Sequence, residues 1–190
     1  MKRIFINFLI VSLLSTVSLK CYSENAITFV NPSLSISFPK QKSIIQFFNR
    51  DSSTDESGQK VAIYIQVPDE GNKYYDLYVG TIESAYPGTS IEIVSVFLNN
   101  VDDSNEDELF IIAASEIYHA GANTEGTEYY THVFKHPGNT RVFSGLTRLT
   151  EIEKIIGGGF EGKLEGKRHK APYVDVAGVR RILKKQGLLK

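Results

Sequence analysis

The amino-acid sequence predicts a mainly β (α+β) domain: an antiparallel β-sandwich or meander sheet with a C-terminal amphipathic helix. Three observations predict it. Short runs rich in Ile, Val, Phe and Tyr recur along the chain, turn-forming clusters separate them, and only the C-terminal stretch changes to helical spacing. The runs are Ile27–Val30, Leu34–Phe38, Ile44–Phe48, Val61–Val67, Tyr74–Val79, Ile91–Leu98, Leu109–Ala113 and Glu128–Phe134. In Val61–Val67 the odd positions are apolar, as a half-buried strand requires. Clusters of Asp, Ser, Gly, Pro and Asn at 51–58, 68–72, 86–89 and 137–139 mark the turns. Near the end, Val176, Val179, Ile182 and Leu183 fall on one helical face. Asp175 suits the N-cap, Lys184 and Lys185 the last turn, and Gly187 the stop, which predicts a helix over about 175–187. A shorter helix is predicted at Leu149–Ile156, where Thr150, Glu151 and Glu153 suit a helix start. No repeat of fixed period and no second domain are evident.

The first residues read as a secretory signal peptide. Lys2 and Arg3 precede an apolar run, Ile4–Val17, which is short for a bilayer and is interrupted by Asn7, Ser12 and Ser15. Cleavage after Ser23 or Ala26 fits the small residues there, giving a signal peptide at 1–23 and one domain at 24–190. A retained anchor is the alternative. A lipid attachment at Cys21 is opposed by Lys20, where a small residue is wanted. No second apolar run approaches membrane-spanning length, so no stable membrane insertion is expected. Cys21 is the only cysteine, and its loss would leave a cysteine-free exported chain, which suits a bacterial periplasm.

Charge is unevenly spread. Residues 24–159 carry 9 Lys and Arg against 19 Asp and Glu, a net of −10, whereas residues 160–190 carry 9 against 3, a net of +6. The acidic majority argues against nucleic acid as a partner, since phosphate binding needs a basic footprint.

The chemistry-bearing patterns are few. Asn100, Asp102 and Ser104 alternate in an acidic loop, and Glu108 closes it at the start of the next strand, a set of oxygens suited to Ca2+. A solvated acidic turn explains the same residues. Two glycine-containing loops are candidate partner-binding surfaces. One runs from Tyr118 and His119 to Gly126, with Tyr129 and Tyr130 beyond it; the other is 157–162, with Phe160 and Glu161. Ordinary turns, with Phe160 as a core anchor, are the plainer alternative. No catalytic residue is assigned: there is no nucleophile elbow, phosphate loop or His-Glu-x-x-His motif. His132 and His136 lie four apart on or just past a strand, about 13 Å if extended, too far for one zinc without a bend.

The acidic loop running into Glu108-Leu109-Phe110-Ile111-Ile112 resembles the calcium loops of FG-GAP/VCBS-type β-proteins. It departs from them at Ser104, where a carboxylate is usual, and at Asn105 or Glu106, where a glycine often turns the chain. From Asp107–Ile112 through Tyr118–Gly121, Gly126–Tyr130 and Val133-Phe134 to Gly159–Gly162, Glu165-Gly166, Tyr173 and 174–186, the chain resembles a group of exported bacterial proteins. By general design it is similar to periplasmic lysozyme inhibitors and to immunity proteins that protect a bacterium from its own secreted effectors. With the export signal and the charge polarity, the resemblance implies a periplasmic binding protein that neutralises a cell-wall hydrolase or secreted effector. The alternative is a calcium-stabilised structural or adhesion module of the envelope.

Overall fold

The computed structural model describes residues 28–29, 33–38, 42–50, 59–69, 73–84, 86–102, 104, 106–136 and 146–189. The expected signal peptide at 1–23 and the turn clusters at 51–58 and 137–139 lie outside the described residues.

Two antiparallel sheets carry the fold. The first contains β1 (Thr28–Phe29), β2 (Leu34–Ser37), β3 (Lys42–Asn49), β4 (Lys60–Asp69) and β5 (Lys73–Glu83). β1 and β2 both pair with β3, β4 lies beyond it, and β5 forms the far edge. The second contains β6 (Glu92–Asn99), β7 (Glu108–His119), β8 (Thr124–Lys135), β9 (Thr147–Arg148), β10 (Gly159–Leu164) and β11 (Lys167–His169). Its order is β6-β7-β8-β10-β11, with β9 also paired to β8.

Two helices, α1 (Thr150–Ile156) and α2 (Val176–Lys185), form a third layer. The sandwich predicted from the alternating runs is therefore present, with a helical cover on one sheet. Two apolar clusters separate the layers. Ile45, Phe47, Ile63 and Ile65 of the first sheet meet Leu109 and Ile111 of the second. On the second sheet's other face, Phe110, Ile112 and Val133 meet Ile156 of α1 and Val179 and Leu183 of α2. β7 serves both clusters with alternate residues, and Glu108–Ser115 are all buried. That explains its near-continuous apolar run: a strand covered on both faces has no polar side to alternate with.

The helices follow local rules. Asp175 caps α2 by accepting from the Gly178 N–H at 2.7 Å, and Gly187 turns the chain with φ +73°. Arg180 of α2 lies 5.6 Å from the Phe97 ring centroid, and Phe97 stacks on Phe110 at 4.9 Å. α1 starts at Thr150 and carries Glu151 and Glu153 in its first turn, as expected. Two bulges bend the sheets. Between Ile63↔Gly80 and Tyr64↔Tyr78 the residue Val79 is extra, and between Ile93↔Ala113 and Ser95↔Ile112 Val94 is extra. Among the described residues no helix is long and apolar enough to cross a membrane.

Candidate functional site

The two glycine-containing segments singled out in the sequence come together at one end of the second sheet. β7 and β8 pair as far as His119↔Thr124, and a 3-10 turn, Ala120–Ala122, joins them. His119 Nδ1 accepts from the Ala122 N–H at 3.0 Å, and Asn123 takes a left-handed conformation with φ +50°. A two-residue loop joins β10 to β11; both its residues, Glu165 and Gly166, have positive φ, which suits the twist of a tight hairpin. β10 then pairs along β8 from Gly159↔Tyr129 to Lys163↔Glu125. Beyond the ladder the tips remain tied: the Glu165 N–H donates to Thr124 Oγ1 at 3.1 Å and the Gly166 N–H to the Asn123 carbonyl at 3.0 Å.

Close approach requires glycine at Gly126 and Gly162, which face each other across the two strands. A Cβ on Gly126 would lie 2.4 Å from the Glu161 carbonyl oxygen and 2.7 Å from the Phe160 ring. The glycines of 157–162 predict a loop, but the segment from Gly159 onward is a paired strand, because its glycines permit this contact.

The six expected partner-binding residues occupy different places. Tyr118 is 75% exposed beside the tip, and His119 is exposed while capping the turn. Tyr129 and Tyr130 lie further along β8, half-buried against opposite faces, and the Tyr130 hydroxyl is 3.1 Å from Ser115 Oγ. Phe160 is half-buried, its ring against Gly126. Glu161 is exposed, but its carboxylate accepts from the Ala171 N–H at 2.8 Å, holding the segment that leads into α2. Exposed Lys163, Lys167 and Arg168 share the second hairpin with exposed Glu161 and Glu165, and Glu125 lies opposite Lys163 on β8.

At the opposite end of β7, the four expected metal ligands share one loop. Asn100 donates through Nδ2 to the Ser104 and Glu106 carbonyls. Asp102 accepts from the Ser104 N–H at 3.0 Å and pairs with the Lys135 ammonium. These bonds, from Lys135 first and then Ser104, hold the Asp102 carboxyl down at about 2. Ser104 Oγ donates to the Glu106 carbonyl at 3.0 Å. Glu108 is fully buried; Oε2 accepts from the Val101 N–H at 2.9 Å, whereas Oε1 has no hydrogen-bond partner. Burial pushes the Glu108 carboxyl up. As arranged, Lys135 supplies the loop's cation, and among the described residues no group of three or more His, Cys, Asp or Glu converges as for a metal ion.

Two further groupings escaped the sequence reading. Arg148 binds Glu153 through Nε at 2.8 Å and Nη2 at 2.9 Å, and its Nη2 lies 2.7 Å from His132 Nδ1, which also faces Glu153 Oε1 at 3.7 Å. Glu153 also accepts from the Val133 N–H at 3.0 Å. Burial alone would raise its carboxyl, yet bonds from His132, Arg148 and Val133 hold it at about 2. The second grouping is on the outer face of the first sheet. Phe48, Tyr64 and Tyr78 line a pocket of about 840 Å³ floored by Ala62, with Gln46, Asn49, Arg50, Gln66 and Asp76 as its polar lining. The signal was present: Tyr64 sits at an even, outward position of the alternating run Val61–Val67.

No family model, curated protein or solved structure matches the chain.

Proposed function

We propose that this chain is an exported binding protein of the bacterial periplasm that neutralises a cell-wall hydrolase, engaging it through the paired hairpin tips. The observation that carries the reading is the union of two exposed turns into one edge, with Tyr118 standing 75% exposed beside it. Tyrosine at a rim of small residues offers a large contact at low entropy cost. The tips are held by backbone ladders and cross-hairpin bonds, so little ordering remains to be done on binding.

The test is complex formation and residual lytic activity when the protein is mixed with lysozymes and with any exported hydrolase encoded beside its gene. Tyr118→Ala should weaken the complex about tenfold or more, as for a buried aromatic anchor, with the melting temperature unchanged. If all these enzymes remain unbound and fully active, the reading fails.

A calcium-stabilised envelope module is the second reading, favoured by the unpaired Glu108 Oε1 at the base of the acidic loop. Calcium would have to replace the Lys135 ammonium at Asp102. It should then raise the melting temperature at about 1 mM by mass action, and Asp102→Ala should abolish the rise. Without a rise, Lys135 remains the loop's counter-charge.

A further inference from the structure

The pocket on the outer face of the first sheet is remote in the fold from the hairpin tips. We propose that it binds a short oligosaccharide.

The solvent face of a sheet ordinarily carries polar side chains, but the centre of this one is aromatic. Phe48, Tyr64 and Tyr78 come from three adjacent strands, with ring centroids 5.6 Å and 5.4 Å apart and planes inclined at 75° and 54°. Tyr74, 61% exposed, extends the same face of β5 by two pleats. Inclined rings form the walls of a cup rather than a flat surface. Ala62, directly opposite Phe48 in the ladder, leaves room for its floor. The β5 bulge deepens the arrangement: after Tyr78 it turns Val79 and Gly80 inward, and the next outward residue, Thr81, meets the Tyr78 hydroxyl at 2.7 Å.

The remaining chemistry selects the ligand. A pyranose ring has an apolar C–H face and a rim of hydroxyls. The negative faces of Phe48, Tyr64 and Tyr78 suit the first. The amides of Gln46 and Gln66 both donate and accept, and the Asp76 carboxylate accepts, which suits the second. The volume of about 840 Å³ falls in the range of small-molecule sites and is large enough for more than one sugar ring. The lining carries one charge of each sign, Arg50 and Asp76, which suits a neutral polar ligand better than a phosphate-bearing one, and a purely apolar ligand would strand both glutamines against it. The site is also preorganised. Residues alternating with its lining, Phe47, Ile63 and Ile65, are fully buried in the inter-sheet core, so the aromatic rows cannot shift independently.

Calorimetric titration with chitotriose, cellotriose and maltotriose, together with co-sedimentation on peptidoglycan sacculi, tests the proposal. At least one of these glycans should bind saturably at one site. Tyr64→Ala and Gln66→Ala should each weaken that binding about tenfold. Tyr78→Ala, at a position 43% exposed, should do the same at unchanged melting temperature, separating contact from folding. Tyr118→Ala should leave sugar binding intact, so either site can fail without the other. Absence of saturable binding to every one of these glycans at about 10 mM, well above the millimolar limit of weak recognition, would overturn the proposal. So would binding indifferent to Tyr64 and Tyr78, or a face that captures a protein or a second copy of this chain instead of sugar.

Discussion

Glu108 and Glu153 are both carboxylates held inside the molecule, and their partners give them opposite effects on stability. Glu108 has one bond and an unpaired oxygen, and burial raises its carboxyl above the usual value of 4.5. A raised acid destabilises the fold once ionised, and this penalty fades as pH falls toward the unfolded value. Glu108→Gln keeps an acceptor for the Val101 N–H and removes the charge, so it should abolish this pH-dependent penalty in chemical denaturation between about pH 7 and pH 4. Glu153, held at about 2, does the reverse. Its contribution is complete above 4.5 and is lost as pH falls from there toward 2. Denaturation measured from pH 6 to pH 2 should therefore show stability declining on the acid side, and Glu153→Gln should flatten that decline. Arg148→Ala should cost about 1–3 kcal/mol, less than breaking a fully buried pair because the guanidinium side is 44% exposed. None of this was legible in the sequence. Glu151 and Glu153 look alike at a helix start, yet only Glu153 reaches His132 and Arg148, which the fold brings from β8 and β9.

Elements differed in how plainly the sequence announced them. α2 was legible almost to the residue because its signals are local: an Asp cap, apolar spacing, basic residues in the last turn and Gly187. Asp175→Ala should cost about 1 kcal/mol through the lost cap, and Leu183→Ala about 2–5 kcal/mol through the cavity left under the helix. β10 was hidden, because its glycines read locally as turns and only the facing Gly126 explains them. Gly126→Val should therefore act on an element distant in sequence. Its side chain would meet the Glu161 carbonyl, and amide exchange over Phe160–Lys163 should accelerate while α2 stays protected. The hairpin tips themselves were half legible. Tyr118 and His119 lie there, whereas Tyr129 and Tyr130 belong to the strand that supports them.

At the scale of the molecule, the alternation in Val61–Val67 foretold a half-buried strand, whereas the double cover over the apolar run of β7 shows only in the folded molecule. The order of strands within each sheet follows from long-range pairing and left no local trace, and neither did the meeting of the two hairpins. Export is expected to yield a mature chain that begins near Glu24 or Ile27 on N-terminal sequencing of a periplasmic fraction. Intact Met1 on membrane-bound material would contradict it. The doubly covered β7 has a kinetic meaning as well. Leu109 and Ile111 anchor one apolar cluster while Phe110 and Ile112 anchor the other, on a single backbone. Neither cluster can open without moving the strand that holds the other closed. The sandwich and the helical layer should thus melt in one cooperative transition, with calorimetric and van't Hoff enthalpies equal. The amides of Phe110–Ala113 should be the last to exchange with solvent, doing so only when the whole chain unfolds.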